Sequence, residues 1–346
     1  MLALTVAPGA AGDLRLDELP EPHPGEGPVL VQGLAMGICG TDLEIIDGEY
    51  GEAPPGSDRL ILGHESLGTV LEDASGTHAA GDLVAGFVRH PDPVPCANCA
   101  VGEWDMCRNG EFTEHGIKAR HGFGAQRYRL VPDRLVVLDP DLGRVGVLVE
   151  PASVVAKAWE HIGAIGARAH YTPRSVLITG AGPIGLLAAL LGAQRGLDVH
   201  VLDRVTDGPK PALVADLGAT YHADLATTPA EPDLVIECTG APALILDVLA
   251  RTGRNGIVCL TGVSTAGRAL PLDAGGLNRE LVLENDVVFG SVNANRRHYE
   301  QAARALVDAD RGWLQRLISR RVPLSDYRSV FDRRTGDVKV VLDLDG

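Results

Sequence analysis

Apolar and polar positions follow two different patterns along this chain. Up to about residue 155, short apolar runs such as PVLVQGLAMGI, SLGTVLE and GDLVAGFV are separated by segments rich in glycine and proline. This pattern predicts a loop-rich, mostly antiparallel β domain. From about Arg174, short apolar strands alternate with stretches rich in alanine and leucine, which is typical of βαβ units on a parallel sheet. The sequence therefore predicts an α/β protein with two domains.

The second domain is predicted to contain a series of parallel strands. They are SVLIT, DVHVLD, DLVIEC, GIVCLTG and DVVFGS, beginning at Ser175, Asp198, Asp233, Gly256 and Asp286. After Ser291 a polar helix, RRHYEQAARALVDADRGWLQRLIS, leads to DVKVVLDL, a strand-like segment that is expected to return to the first domain. We therefore predict a first domain over residues 1–157, completed by residues 291–346, and a second domain over residues 158–290.

Composition and charge narrow the classes of function. The chain has 346 residues, of which 45% are hydrophobic and 22% charged, as in ordinary globular proteins. A net charge of -15 argues against a nucleic-acid partner and suits small neutral substrates. Because no apolar run reaches about eighteen residues and the N-terminus lacks signal-peptide features, we expect no membrane association and a cytoplasmic location. In such a reducing compartment, the clustered cysteines of the chain indicate metal binding rather than disulfides.

A glycine-rich turn predicts a dinucleotide site in the second domain. GAGPIG places Gly180, Gly182 and Gly185 in G-x-G-x-x-G spacing, after the strand SVLIT and at the start of a helix. The first glycine permits the tight turn, the second lets the backbone approach the pyrophosphate, and the third lets the helix pack against the strand. Asp203, about twenty residues further on, would accept hydrogen bonds from the ribose and favour NAD. Arg204 would pair with a 2′-phosphate, so NADP use stays open.

Several motifs carry a resemblance to a known family over essentially the whole chain. GICGTD, LGHE, GEWDMCRNGEFTEHGI, LVEPAS, GAGPIG and GSVNANRRHYE occur here in the order typical of that family. The chain resembles the zinc-dependent medium-chain dehydrogenase/reductase superfamily and, within it, the microbial glucose 1-dehydrogenases. The resemblance implies a GroES-like, mostly-β catalytic domain and a Rossmann-type, doubly wound parallel-sheet domain, with the active site in the cleft.

The resemblance also implies a catalytic zinc site. Cys39, His64 and Glu150 would hold the metal, with Glu65 as an additional or alternating ligand. Such a donor set leaves a coordination position open for a substrate oxygen, whose pKa the zinc would lower. Thr41, beside Cys39, would contact the substrate and help to pass the proton outward. By themselves a lone buried cysteine or histidine would not justify a zinc site.

The sequence contains only part of the motif for a second, structural zinc site. In the superfamily this site takes four cysteines spaced C-x2-C-x2-C-x7-C. The last three positions match Cys96, Cys99 and Cys107. The first position falls on Pro93, so either Asp92 or His90 replaces it, or the lobe binds no metal.

The resemblance maps sugar contacts onto two motifs. Glu114 in TEHGI and Asn293 in GSVNAN match sugar-contacting positions, and His298 would lie nearby. Acidic and amide side chains suit a sugar because each hydroxyl needs both a donor and an acceptor. Val154 and Arg89 differ from the residues that the family leads us to expect, so the particular sugar stays open.

The predicted contact residues fall into two sets. Those expected to contact the dinucleotide are Gly180, Gly182, Pro183, Ile184, Gly185, Asp203, Arg204, Thr261, Gly262, Val263, Ser291, Val292 and Asn293. Those expected to contact the substrate are Thr41, Glu114, Glu150, Asn293 and His298. Relatives further suggest a homodimer or homotetramer.

The leading functional hypothesis is oxidation of an aldose, with D-glucose as the best candidate, to the aldonolactone with NAD or NADP. One alternative is a zinc-dependent polyol or threonine-type dehydrogenase, which would share the zinc and cofactor sites. A second alternative is a non-catalytic nucleotide-binding redox sensor. Hydrolase and phosphate-loop motifs are missing from the sequence, since GK[ST], HExxH and GxSxG patterns do not occur.

Overall fold

The computed structural model describes residues 1–249, 251–264, 267 and 269–345. The chain divides into two compact units: Met1–Ser153 with Asn293–Gly346, and Val154–Val292. The predicted domain boundaries, after residues 157 and 290, lie within a few residues of the boundaries between these units. Within the described part of the chain, no helix combines the length and apolar character needed to cross a membrane.

The first unit is built mainly from short strands, numbered here along the whole chain. They are β1 Leu2–Val6, β2 Arg15–Glu18, β3 Val29–Gly37, β4 Leu60–Ile61, β5 Glu65–Asp73, β6 Leu83–Gly86, β7 Arg89–His90, β8 Thr113–His115, β9 Ala119–Arg120, β10 Arg127–Leu130 and β11 Leu135–Val137, with β18 Ile318–Pro323 and β19 Lys339–Asp343 near the C-terminus. Its helices are α1 Gly40–Ile46, α2 Ala97–Ala100, α8 Arg296–Val307 and α9 Arg311–Leu317, with the start of α3 Val149–Gly166. Short 3-10 helices cover Pro24–Glu26, Trp104–Met106, Pro140–Leu148 and Leu324–Phe331.

The main sheet of this unit has the order β11-β6-β5-β3-β19-β18, and β10 also pairs with β3. Apart from the parallel pair β18–β19, its neighbours run antiparallel, as the alternation of short apolar runs predicts. The C-terminal strand β19 joins β3, so the segment DVKVVLDL does return to the first domain. The predicted fold class of this half is confirmed.

One predicted element differs from the structure. The polar segment after Ser291 forms two helices, α8 and α9, instead of one. Asp310 begins the second helix, because its carboxylate accepts the backbone N–H of Trp313 at 2.7 Å. An aspartate that caps a helix N-terminus competes with continuation of the preceding helix.

The second unit is a parallel sheet with helices. Its strands are β12 Ser175–Thr179, β13 Asp198–Leu202, β14 Thr220–His222, β15 Leu234–Glu237, β16 Ile257–Leu260 and β17 Val287–Gly290. Most of α3 belongs to this unit, with α4 Pro183–Gln194, α5 Lys210–Asp216, α6 Pro242–Leu249, α7 Ala274–Glu284 and a 3-10 turn Leu225–Thr227. The predicted strands all form, and the Rossmann-type architecture is confirmed.

The strand order is β14-β13-β12-β15-β16-β17. Strand β12, which precedes the glycine turn at Gly180, therefore lies near the middle of the sheet. From β12 the chain moves outward to β13 and β14, then crosses back to β15 on the other side. Ligands bind beyond the carboxyl ends of the strands at such a switch point. The short strand β14 was not predicted, because its three residues carry no apolar run.

Candidate active site

Three candidate zinc ligands of the first unit lie at the adjoining ends of the neighbouring strands β3 and β5. Cys39 follows β3 and precedes α1, while His64 immediately precedes β5 and Glu65 is the first residue of that strand. The antiparallel register pairs Gly37 with Glu65, which brings the two strand ends together. One ligand atom each from Cys39, His64 and Glu65 lies within 4.8 Å of the others. Three residues separated in sequence therefore form a compact donor set.

The glycine before His64 makes this approach possible. Gly63 has a φ of +95°, and a Cβ there would lie 1.9 Å from the sulfur of Met36. Only glycine adopts this conformation without strain and leaves that space free. The GHE motif thus positions the imidazole through its first residue.

Asp42 supports both of the first two candidate ligands. Its carboxylate is fully buried, and Oδ2 accepts the backbone N–H of Cys39 at 2.8 Å. The other oxygen, Oδ1, lies 3.4 Å from His64 Nδ1. A carboxylate on one ring nitrogen fixes the histidine and leaves Nε2 for a metal. Asp42 is the last residue of GICGTD, but the motif by itself did not predict a role for it.

Lys339 is the second residue that the sequence analysis missed. It lies on β19 and is buried, and its ammonium donates to Glu65 Oε1 at 2.5 Å and to the carbonyl of Ile38 at 2.8 Å. Burial alone would lower the pKa of Lys339, but the Glu65 carboxylate holds it above its usual value. The negative charge of Glu65 is therefore balanced inside the protein.

Glu150 lies close to this set without joining its three mutually close atoms. It is in the first turn of α3 and is buried. Burial and the charge of Glu65 raise the pKa of Glu150 to about 7. Thr41 lies in the first turn of α1 and is half-buried.

The donor set fits a zinc ion. It combines a thiol, an imidazole and carboxylates, which are the ligand types of catalytic zinc sites. Asp42 Oδ1 and His64 Nδ1 are buried 3.4 Å from each other, and neither has another polar partner in hydrogen-bond geometry within the described residues. Glu65 Oε2 also lacks hydrogen-bond geometry, although it contacts the Lys339 ammonium. Because Asp42 faces Nδ1 of His64 and Lys339 faces Glu65, the fit to a metal rests on the donor types, with the Cys39 thiol, His64 Nε2 and carboxylate oxygens as the atoms that would bind it.

The predicted sugar residues Glu114 and Asn293 contact each other. The side-chain amide of Asn293 donates to Glu114 Oε1 at 2.8 Å, and Arg89 Nε donates to the same oxygen at 2.9 Å. The guanidinium of Arg89 also lies 3.7 Å from the ring centroid of Phe112. The Glu114 carboxylate is thereby fixed through one oxygen. His298 is buried and accepts the backbone N–H of Asn295 through Nδ1.

The second cysteine cluster assembles as the spacing predicts. The sulfurs of Cys96, Cys99 and Cys107 lie within 4.8 Å of one another. Asp92 is 4% exposed; its Oδ1 accepts the N–H of Val94, and its Oδ2 has no hydrogen-bond partner among the described residues. The backbone N–H of Asp92 also bonds the sulfur of Cys99.

His90, the other candidate for the fourth position, is engaged elsewhere. Its Nε2 lies 3.0 Å from Nε2 of His115, whose Nδ1 in turn lies 2.6 Å from the carbonyl of His121. Both histidines are buried. Of the two candidates for the fourth position, Asp92 has the unpartnered side-chain oxygen among the described residues, although its carboxylate does not join the three mutually close sulfurs.

The glycine turn of the second unit has the geometry that the motif predicts. Gly180 has a φ of +88°, and Gly182 is the N-cap of α4. A Cβ on Gly185 would lie 1.7 Å from the carbonyl oxygen of Gly180. Pro183 and Ile184 form the first turn of the helix. The N–H groups of that turn have no partners inside the helix, and such groups are suited to an anion such as a pyrophosphate.

Asp203, at the end of β13, braces this turn. Its Oδ2 accepts the N–H of Ala181 and the ammonium of Lys210, both at 2.8 Å, and its Oδ1 accepts the N–H of Val205. Burial would raise the pKa of Asp203, but the Lys210 hydrogen bond and the two N–H groups hold it below its usual value. Arg204 is exposed.

Glu237, for which no role was predicted from the sequence, forms hydrogen bonds with three loops at the carboxyl ends of the strands. This fully buried carboxylate accepts the hydroxyl of Thr179 and the N–H groups of Thr239 and Gly240. Its backbone carbonyl accepts the N–H groups of the predicted residues Thr261 and Gly262. An acid inside the apolar strand DLVIEC is the signal that marks it in the sequence.

The remaining predicted dinucleotide residues lie in the loops after β16 and β17. Val263 and Val292 are exposed. Ser291 is buried, and its backbone N–H donates a hydrogen bond to the carbonyl of Leu260. Asn293 has a φ of +62° and belongs to the first unit.

Comparison with protein-family models gives two matches. Residues 143–344 match the family described as glucose dehydrogenase C-terminus, and residues 25–141 match the alcohol dehydrogenase GroES-like domain.

Individual relatives match over almost the full length. The chain is 38% identical to the glucose 1-dehydrogenase of Methanocella arvoryzae and 41% identical to that of Thermoproteus tenax, with 99% of each chain covered in both cases. Among solved structures, the glucose dehydrogenase of Haloferax mediterranei in complex with NADP, Zn and gluconolactone superposes with a TM-score of 0.92. That protein is 31% identical, and both chains are covered completely.

Proposed function

Because the chain belongs to the glucose 1-dehydrogenase branch of the zinc-dependent medium-chain dehydrogenases, we propose that it oxidises an aldose at C1 to the aldonolactone. D-glucose is the substrate that its relatives favour. The reaction removes a hydride from C1 and a proton from the anomeric hydroxyl. NAD or NADP, when bound, supplies the hydride acceptor.

Cys39, His64 and Glu150 are the proposed zinc ligands, with Glu65 as an additional or alternating ligand. When bound, the zinc supplies Lewis-acid chemistry that lowers the pKa of a substrate hydroxyl. Asp42 orients His64, and Lys339 balances the charge of Glu65. Thr41 is proposed to contact the anomeric hydroxyl and to carry its proton outward.

Glu114 and Asn293 are proposed to form hydrogen bonds with the sugar hydroxyls. Arg89 and Asn293 both donate to Oε1 of Glu114, so Oε2 is left to accept from a sugar hydroxyl. A carboxylate held in one orientation discriminates between hydroxyl positions better than a mobile one. Glu150 and His298 complete the proposed set of substrate contacts.

For the cofactor, we propose that NAD is favoured and that NADP is also accepted. The carboxylate of Asp203 lies directly after β13, where the adenosine ribose binds in folds of this type. It would accept the ribose hydroxyls and repel a 2′-phosphate. The relative from Haloferax mediterranei was solved with NADP, which supports use of the second cofactor as well.

The cluster of half-buried Cys39 with buried His64 and Glu65 is the observation that carries this proposal. It supplies the donors of a catalytic zinc in a chain whose second unit contains an intact dinucleotide turn. A silent redox sensor would need no such cluster.

The proposal is tested by following NAD and NADP reduction with a panel of aldoses, polyols and simple alcohols, with and without a zinc chelator. We expect chelator-sensitive reduction with glucose, galactose or xylose. Cys39→Ser should abolish turnover and lower the bound zinc, while the Kd for dinucleotide changes by less than about threefold. Cys238→Ser, at a cysteine that belongs to neither candidate metal cluster, serves as a matched control and should keep both turnover and bound zinc.

The other outcomes separate the alternatives. Activity on polyols or secondary alcohols alone would favour the polyol dehydrogenase. Dinucleotide binding with no turnover on any member of the panel would favour the redox sensor. Full turnover of Cys39→Ser would contradict the proposed ligand set.

We further propose that the lobe around Cys96, Cys99 and Cys107 holds a second zinc with Asp92 as the fourth ligand. Its Oδ2 is buried and without a hydrogen-bond partner in the described part of the chain. We expect two zinc ions per wild-type chain by metal analysis after dialysis, and one in Asp92→Asn. His90→Asn, the control, should keep two. One zinc in the wild-type chain would contradict the proposal.

A further inference from the structure

Glu114, the carboxylate proposed to accept from a sugar hydroxyl, is held by two donors from distant parts of the chain. Arg89 lies on β7 and Asn293 precedes α8, and they donate to Glu114 Oε1 at 2.9 and 2.8 Å. Both donors are flexible side chains with several rotatable bonds. The direction of Glu114 Oε2 therefore depends on what holds these two donors in place.

Asp105 accepts a hydrogen bond from each of the two donor segments. Its backbone carbonyl accepts Arg89 Nη1 at 3.1 Å, and its Oδ1 accepts the side-chain amide of Asn295 at 2.9 Å. Asp105 is 4% exposed and Asn295 is 1% exposed, so the contact between them is shielded from water. The same amide also donates to Glu103 Oε2 at 3.1 Å, but that side chain is 33% exposed. Asp105 is therefore the buried acceptor for Asn295, and hydrogen bonds to a buried carboxylate are strong.

Asn295 passes this contact to Asn293 through the main chain. Asn295 is the N-cap residue of α8, and its backbone N–H donates to His298 Nδ1 at 3.1 Å. Two residues earlier, Asn293 has a φ of +62°, a left-handed conformation that is uncommon outside glycine and needs support from its surroundings. Its Oδ1 accepts the backbone N–H of Ala294, and its amide nitrogen donates to Glu114. A shift of Asn295 would therefore move the amide that holds Glu114.

The lobe around the second cysteine cluster sets the position of Asp105. This residue lies in the 3-10 helix Trp104–Met106, which precedes the last cysteine of the cluster. Asn98 of α2 holds both ends of the turn. Its carbonyl accepts the N–H of Glu103 at 2.9 Å, and its side-chain amide donates to the carbonyl of Met106 at 2.6 Å. Asp105 thus joins the cysteine lobe to the residues around Glu114.

We propose that Asp105 is a positioning residue of the sugar site, through which the cysteine lobe fixes the orientation of Glu114. The inference rests on the proposed function, because Glu114 is the carboxylate that would accept from the sugar. Asp105 acts through Arg89 and Asn295. A carboxylate whose supports are locked loses little freedom when the sugar binds, so the affinity for the sugar rises.

The test is steady-state kinetics on the zinc-loaded, full-length protein with the aldose that it oxidises best. Asp105→Ala removes the acceptor for Asn295 and leaves the backbone carbonyl that accepts Arg89. We expect the KM for the aldose to rise about tenfold, in the range of one hydrogen bond to a charged group. The kcat and the KM for the dinucleotide should stay within about threefold. Asp105→Asn, which keeps an oxygen at the same place, should restore most of the sugar affinity.

A second variant approaches the same contact from the other side. Asn295→Ser removes the amide, and serine is also favoured at a helix N-cap. It should raise the KM for the aldose to a similar extent, and it keeps the test decisive if Asp105→Ala does not fold. Asp326→Ala, at an exposed aspartate of the same unit, is the control and should leave the KM unchanged.

A double-mutant cycle separates positioning from a general loss of stability. In a Glu114→Ala background, Asp105→Ala should have little further effect on the KM for the aldose, because the two residues act through one group. Additive effects would show that Asp105 does not act through Glu114. An equal rise in the KM for aldose and dinucleotide would make Asp105 a purely structural residue.

The single variants distinguish failure of this inference from failure of the sugar site. If Glu114→Ala raises the KM and neither Asp105→Ala nor Asn295→Ser does, the role of Asp105 is refuted and Glu114 remains a sugar contact. If Glu114→Ala leaves the KM for every aldose unchanged, the proposed sugar site itself fails.

Discussion

Single charges inside the first unit are balanced by partners far away in sequence. Glu65 and Lys339 are separated by 274 residues, and both side chains are only 2% exposed. A carboxylate in such surroundings needs a cation, because the energy of removing it from water is large. Glycine at position 37 is part of the arrangement, since a Cβ there would lie 2.0 Å from Glu65 Oε2.

This pair gives a stability prediction. Lys339→Met leaves Glu65 buried without its cation and should lower the free energy of unfolding by about 3–5 kcal/mol. Restoring neutrality in the double variant Lys339→Met, Glu65→Gln should recover much of that loss. Urea unfolding of the wild type, both single variants and the double variant measures the coupling. Additive effects would show that the two residues do not form an energetically coupled pair.

At the scale of elements, two histidines hold the small sheet β7-β8-β9 together. Burial lowers the pKa of His115 to about 3, and burial with the nearby charge of His115 lowers the pKa of His90 as well. Both imidazoles are therefore neutral in the folded chain. This sheet also carries Arg89 and Glu114, so its integrity bears on the proposed sugar site.

The direction of the resulting pH dependence follows from the depressed pKa values. Between an unfolded pKa of about 6.5 and the folded value near 3, the unfolded chain binds a proton that the folded chain does not. The contribution of these histidines to the free energy of unfolding is therefore fully present above about pH 6.5 and is lost as the pH falls toward 3. Urea unfolding from pH 7.5 to 4.5 should show this loss, and it should be shallower in His115→Gln. An equally steep loss in that variant would assign the dependence to other groups.

At the scale of the whole molecule, helix α7 of the second unit exposes two large apolar side chains. Helix α7 has no buried residue among those described, and Val282 and Leu283 are 65% and 63% exposed. Strand β17, which follows α7 in the sequence, is the outer strand of the parallel sheet. An open edge beside apolar side chains is suited to pairing with another copy of the chain. A homo-oligomer, as a dimer or tetramer, remains our proposal, and a cytoplasmic location stays a prediction.

The oligomer prediction is checked by light scattering after size exclusion. Val282→Glu with Leu283→Glu should shift the wild-type dimer or tetramer toward the monomer, because a charge at an apolar interface is costly to desolvate. Leu71→Glu, at a residue that is 44% exposed on the first unit, should leave the mass unchanged. A monomeric wild-type chain would contradict the proposal.

The sequence by itself determined the architecture and the positions of the main chemical groups. Apolar periodicity depends on local geometry, so it predicted the antiparallel sheet and the parallel strands from Ser175 onward. The turn at Gly180 and the motif around His64 also depend on local backbone conformation. Family resemblance, rather than spacing, supplied the role of Glu150. These features need only neighbouring residues, or a known pattern of them.

Only the tertiary structure decided which charges meet. Asp42 lies beside His64, Lys339 beside Glu65, and Lys210 beside Asp203, because strand register and helix placement bring them there. No periodicity encodes such pairs, since any exposed-looking lysine or aspartate in the sequence has many possible partners. The prediction of a single polar helix after Ser291 was wrong. The N-cap at Asp310 begins a second helix, and whether such a cap or continuation of the first helix prevails depends on the surrounding fold. Burial then makes each pairing obligatory, because a charge removed from water must find its counterion within the fold.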